Sequence, residues 1–307
     1  MSVKHGCLYI LVGLASLLVS CQEPSARRAS DEQRSTPKGP ERKVFPYDSA
    51  RGCYMDAIVN GSIADQNTPL KNHIVMLITS FKRNDETLST LCTGTLIDNN
   101  TVLTAAHCFP KNRVSTQVIA SINLFCSSGF NHQLAYTASN VMIHPKYIHK
   151  DTPSGVSPDF DIALVKFEGI LPHEYMPLAI QKIDIQSEMK NSSSHMVMTG
   201  FGRTSTSDSS LPELRYLSKP WDRLILFKDS VNLVDRLNLV SVNQTDARGG
   251  CSGDSGGPLL IEDNGTYKIL GVASYIESSS ESRLCEQGQI FYSYITSYLE
   301  WINESML

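Results

Sequence analysis

Beyond residue 51 the sequence has no clustered run of Lys or Arg, and its 27 basic and 31 acidic side chains leave a formal charge of −4. The positive footprint that nucleic-acid binding needs is therefore missing. The apolar run from Leu8 to Val19 is too short to span a bilayer permanently. No period repeats along the chain, which excludes solenoids and propellers built from sequence repeats. Between Gln22 and Lys43 there is no Val, Ile, Leu, Met, Phe, Tyr or Trp. Such a stretch cannot bury enough surface to offset its ordering entropy, and it reads as a disordered tether. The rest is ordinary globular material, with 41% hydrophobic and 19% charged residues over the 307 positions.

The N-terminal segment has the layout of an export signal: Lys4 and His5, the apolar run, then Ser20 and Cys21. "LVSC" at 18–21 resembles the lipobox of bacterial lipoproteins, which implies acylation of Cys21; a plain signal peptide is the alternative. Either leads to an exported protein, held in the cell envelope or released after processing. The expected organisation is a signal over 1–21, a tether and pro-segment over 22–57, and a folded domain over 58–307.

Past Ile58 the pattern is one of short strands. "HIVMLITSF" (73–81), "TVLTAAH" (101–107), "DIALVKF" (161–167) and "HMVMTGFG" (195–202) are apolar, β-branched or alternating runs bounded by turn residues. Asp263-Asn264-Gly265 separates two further runs and predicts a hairpin, because Asn-Gly accepts the positive φ of a tight turn. Helical spacing is convincing only in "YITSYLEWINESML", with Ile295, Tyr298, Leu299 and Ile302 on one face. The chain reads as all-β, built of barrels or sandwiches.

Acyl transfer by a serine requires a base for its proton, an acid to orient that base, and donors for the oxyanion. "LTAAHC" carries His107, "DFDIAL" carries Asp161 and "GDSGGP" carries Ser255. With "IVNG" at 58–61, "TGFG" at 199–202 and "YLEWI" at 298–302, these stretches resemble the chymotrypsin-like, trypsin-fold serine proteases. The resemblance implies two packed six-stranded antiparallel Greek-key β-barrels with a C-terminal helix. It also implies Ser255 as nucleophile, His107 as general base and acid, Asp161 as its orienting acid, and the N–H groups of Gly253 and Ser255 as oxyanion hole. Asp159 is a rival acid, read as a solvated loop residue because Asp161 begins the "DIAL" run.

In that family, cleavage before the Ile-Val pair frees an α-amino group that pairs with the Asp before the nucleophile. Here the pair is Ile58 with Asp254 and the cut falls after Ala57; the alternative is that "AIVNG" is an ordinary first strand. Of eight cysteines, Cys7 and Cys21 belong to the signal. Six remain for an oxidising compartment, and arithmetic alone leaves their pairing open. The resemblance implies Cys92 with Cys108 and Cys251 with Cys285. Cys53 and Cys126 match no family bridge and are hypothesised to pair with each other.

The resemblance places Gly249, six residues before Ser255, at the floor of the primary pocket. It is followed by Gly250, with Ser252, Ser274 and Tyr275 also counted as substrate-binding, Ser274 lining the site beside Asp161; Ile276 and Ile290 align with the two positions where small glycines open the pocket in other members. A floor without charge disfavours Lys and Arg, and two isoleucines leave room for a small aliphatic side chain, as in elastase-like members. Ser274 to Ile276 would pair with substrate backbone as an added strand. His144 and His149 lack a carboxylate or cysteine partner, so no metal is expected, and no cofactor either. The expected protein is a monomer acting on proteins or peptides, touching a membrane only through a lipid at Cys21. The competing reading is a non-catalytic binding or regulatory homologue whose pocket is overfilled by the two isoleucines; an inert surface lipoprotein has only "LVSC" in its favour.

Overall fold

A computed structural model of the chain describes a short strand at 9–10 and residues 58–122, 134–148, 151–152, 155–156, 160–205, 212–226, 238–278 and 283–307. Cys21, the tether, Cys53, Ala57, Cys126, His149 and Asp159 lie outside the described residues. The first half of the chain supplies β1 (Tyr9–Ile10), β2 (Ser62–Ile63), β3 (Ile74–Arg83), β4 (Glu86–Asp98), β5 (Thr101–Thr104), β6 (Arg113–Ala120), β7 (Leu134–Ile143), β8 (Asp151–Thr152), β9 (Gly155–Val156) and β10 (Ala163–Phe167). From the second half come β11 (Ser194–Gly200), β12 (Arg215–Lys219), β13 (Leu224–Leu226), β14 (Leu239–Asn243), β15 (Pro258–Asp263), β16 (Thr266–Glu277) and β17 (Gln289–Tyr294).

In the first sheet, strands run in the order β4-β3-β6-β7-β10-β5, and β5 pairs back onto β4 to close a six-stranded barrel. Closure removes the free edges that an open sheet would expose. Outside the ring, β1 runs parallel to β4. Ile74, Val75, Met76 and Leu77 are all buried, as are Ala163, Leu164 and Val165. Such continuous apolar runs belong to strands covered on both faces.

The second sheet is antiparallel throughout, in the order β13-β14-β17-β16-β15-β11-β12-β2. Six of its strands form the second layer, with short β13 and β2 added at the edges. Among the described residues no pairing joins its two ends, so this half is a half-barrel rather than a second closed ring. The hairpin forms at the expected place: Asp263 pairs with Thr266, and Asn264 and Gly265 take φ of 48° and 82°.

Two short helices escape the sequence pattern, α1 (Ile185–Lys190) and α2 (Leu284–Gln287). Asp184 caps α1 by accepting the Ser187 N–H at 3.3 Å. The C-terminal segment is helical, but its first turn, Ile295–Tyr298, is 3-10 and only α3 (Leu299–Met306) is α-helical. Ile295, Tyr298 and Ile302 are buried, as their spacing requires.

Candidate active site

Strands β5 and β10 are antiparallel with Thr104 opposite Ala163, so the residues just after β5 and those just before β10 meet beyond one end of the pair. A 3-10 turn, Ala106–Cys108, carries His107 there, and Asp161 lies two residues before β10. The His107 backbone N–H donates to Asp161 Oδ1 at 2.9 Å, and His107 Nδ1 lies 2.7 Å from Oδ2. Ser274 Oγ also donates to Oδ2, at 2.5 Å, while Ser293 Oγ donates to the Asp161 carbonyl at 2.8 Å. Asp161 is fully buried and the His107 side chain 22% exposed, so the acid is sealed while the imidazole reaches solvent.

Burial alone would lower the His107 pKa, but the charge and hydrogen bond of Asp161 outweigh it and hold the pKa above its ordinary value. For Asp161, burial pushes upward; the His107 charge and the hydrogen bonds from His107 and Ser274 prevail and hold its pKa down. The carboxylate therefore stays ionised and fixes the proton of a neutral imidazole on Nδ1, leaving Nε2 free to accept.

The loop carrying Ser255 is pinned from three sides. The Thr93 N–H donates to the Ser255 carbonyl at 2.8 Å, Thr93 Oγ1 to the Gly253 carbonyl at 3.0 Å, and the Gly256 N–H to the Ala273 carbonyl at 2.7 Å. The Ser255 carbonyl also lies 3.9 Å from Sγ of Cys108, the residue after His107, which sets Ser255 against the His107 turn. Gly253 and Gly256 have φ of 103° and 79°, and a Cβ on Gly256 would stand 2.0 Å from Thr104 Oγ1. Both the conformation and the close approach demand glycine. Asp254 and Gly257 spend their N–H groups within the fold, on the carbonyls of Cys251 and Asp254. Among the described residues the N–H groups of Gly253 and Ser255 meet no acceptor.

Asp254 is buried, accepting from Gly202 N–H and Cys251 N–H at 2.8 Å each. Burial outweighs these bonds and pushes its pKa up to about 7. Ile58, equally buried, has a φ of 53°, and Val59 exchanges two backbone hydrogen bonds with Gly249, at 2.8 and 3.2 Å. Asn60 Nδ2 adds a bond to the Ala247 carbonyl at 2.8 Å. The segment after the expected cut thus lies along the loop that leads to Ser255.

Disulfides join Cys92 to Cys108 and Cys251 to Cys285, the two pairings implied by the resemblance. The sulfurs of Cys92 and Cys108 cluster with a His107 nitrogen within 4.8 Å, but a disulfide has no thiolate to give a metal. His144 is enclosed by aromatic rings, with Phe160, Trp301 and Tyr298 centroids at 5.0, 4.9 and 5.6 Å.

Around the expected pocket, Ile276 on β16 pairs directly with Ile290 on β17, and Ile290 is buried. Tyr275 stacks on Phe291 at 4.5 Å, while Ser252 is half-buried, its carbonyl accepting the Arg203 N–H at 2.9 Å. Sequence reasoning misses Gln244. Its side chain is buried beside Gly249 and Gly250 and hydrogen-bonds Gly250 and Cys285. Nothing in its surroundings marks it, since a polar residue after a strand reads as an exposed loop.

Among solved structures, "HL collagenase structure at 1.7 Å resolution" matches with a TM-score of 0.60 at 22% identity, covering 81% of this chain and 98% of that one, a likeness of fold. The family model described as Trypsin matches residues 66–302, and the chain belongs to that family. Among its relatives, chymotrypsin-like elastase family member 1 of Rattus norvegicus is 28% identical over 215 residues, 69% of this chain and 77% of the relative. The Homo sapiens protein of the same name is 29% identical over 69% of this chain and 80% of its own length. Vitamin K-dependent protein C of Rattus norvegicus is 26% identical over 80% of this chain and 51% of its own length.

Proposed function

We propose that the chain is a serine endopeptidase that cuts after small aliphatic side chains. The observation carrying this reading is the sealed His107–Asp161 pair, at 2.7 Å, set against a loop whose Gly253 and Ser255 N–H groups meet no acceptor among the described residues. Ser255 Oγ attacks the scissile carbonyl as His107 Nε2 takes its proton, and Asp161 stabilises the imidazolium that results. Negative charge developing on the carbonyl oxygen is met by the two N–H groups; one such donor is worth on the order of 3 kcal/mol in related acyl-transfer sites. His107 then returns the proton to the leaving amine, and water repeats the sequence on the acyl-enzyme.

Cleavage between Ala57 and Ile58 converts a precursor to the working form by giving Asp254 an ammonium partner. Ile276 and Ile290 narrow the primary pocket, in keeping with the elastase name of the relatives. The residue before the cut, Ala57, fits that pocket and suggests self-processing. The precursor is exported and anchored by a lipid at Cys21, and a Cys53–Cys126 bridge would keep the anchor attached after cleavage. The second reading, a non-catalytic homologue, draws on the near-complete burial of Ile290, which narrows the pocket.

The test is the N-terminal residue of purified 22–307 protein, wild type beside Ser255→Ala, made in an oxidising compartment. A wild type beginning at Ile58 and an uncut variant support catalysis and self-processing together. If externally cut protein fails to hydrolyse any peptide and Ser255 takes up no active-site organophosphate, the enzyme reading falls.

A further inference from the structure

We infer that Gln244 determines which side chain this pocket admits, by standing in the place of a side chain at the pocket floor. This rests on the proposed function in one respect, the assignment of Gly249 to that floor. Gly249 has no positive φ, so its backbone accepts any residue. What excludes a side chain is space: a Cβ on Gly249 would lie 2.3 Å from both Cδ and Oε1 of Gln244. The position from which a floor side chain would grow is already filled by a carboxamide.

That carboxamide is engaged within the fold. Its Oε1 accepts the Gly250 N–H at 2.7 Å, and its Nε2 donates to the carbonyls of Gly250 and Cys285 at 3.2 and 3.1 Å. The Gln244 backbone N–H donates to the Gly288 carbonyl at 3.0 Å. Gln244 therefore ties the 249–251 wall to the 285–288 wall and fixes the pocket's depth. With its hydrogen bonds made inside the protein and none of its surface exposed, it backs the Gly249 floor from beneath and keeps that floor short and uncharged. Ile276 and Ile290 set the width and Gln244 sets the length. An acid at 249 would not create a Lys or Arg site while Gln244 remains.

The experiment measures equilibrium binding in a Ser255→Ala background, where nothing is turned over. Peptides ending in Ala, Leu or Lys are titrated into the cleaved protein carrying Gln244, Gln244→Ala, Gln244→Asn, Gly249→Asp, or Gln244→Gly with Gly249→Asp. The expected result is a Leu-to-Ala affinity ratio that rises about tenfold or more in Gln244→Ala, the scale on which apolar pockets discriminate by a methylene or two. Gln244→Asn, which keeps the amide and loses one methylene, moves the ratio the same way by less, and serves if the alanine variant does not fold. Lys-terminated peptide binds the double variant and not Gly249→Asp alone. The inference is overturned if all peptides weaken by one common factor, if Gly249→Asp alone takes up Lys, or if no variant binds any peptide selectively. Turnover by the matching Ser255 proteins is read separately. Selectivity that follows Gln244 without turnover would keep this assignment and remove the proposed enzyme.

Discussion

Asp254 in the uncut chain is a buried carboxylate whose hydrogen bonds among the described residues come from the neutral backbone N–H groups of Gly202 and Cys251. Its folded pKa, near 7, stands above the unfolded value of 3.8. Between these values the folded state holds a proton that the unfolded state has released, so stability falls as pH rises through the window. About three pH units at about 1.4 kcal/mol each amount to on the order of 4 kcal/mol lost between pH 4 and 8. Cleavage after Ala57 supplies an ammonium within the already buried Ile58 segment, which should draw the pKa down and remove most of that loss. The assay is denaturant unfolding of Ser255→Ala protein, uncut and externally cut, at pH 4 to 8, with the difference between forms isolating this group from other titrations. The uncut form should lose ground steadily relative to the cut form toward pH 8. A difference between the two forms that does not change with pH would refute the reasoning.

The upward-shifted His107 predicts that kcat/KM falls as pH drops through a value above the ordinary 6.5, since the base must be neutral; a pH profile flat down to pH 5 would contradict its role. Ser274→Ala removes one hydrogen bond to Asp161 and should cut kcat about tenfold with KM little changed, checked by steady-state kinetics on a P1 Ala peptide. Lys219 is buried and pairs with the partly exposed Asp246 at 2.6 Å on the loop leading to Gly249. Asp246→Ala strands the buried cation and should cost about 3–5 kcal/mol, whereas Lys219→Met leaves an acid that water can reach and should cost less; urea unfolding ranks the two. Gly256→Ala should prevent the Ser255 loop from forming, read as loss of active-site labelling with the first barrel's hydrogen-exchange protection retained.

Much of this protein is legible in local sequence because the signals are local. Asn264-Gly265 specifies a turn through its own φ preferences, and the continuous apolar runs at 74–77 and 163–165 specify strands that must be covered. The glycines around Ser255 are visible for the same reason, since positive φ and close approach leave no alternative residue. Their assembly is not local. The closing of the first sheet and the opening of the second depend on which ends pair, and no residue in either strand states that. Nor does sequence spacing reveal that Gln244 fills the space beside Gly249, or that Lys219 is buried against Asp246. Polar side chains read as solvated until a fold surrounds them. By itself, then, the sequence determined the strands, the turns and the residue types a serine-centred chemistry needs, because backbone preference and hydrophobic period act over a few residues. Tertiary structure alone decided the sealing of Asp161, the burial of Asp254 against two backbone N–H groups and the filling of the space beside Gly249 by Gln244, because desolvation and exclusion of volume arise only when distant segments are packed against one another.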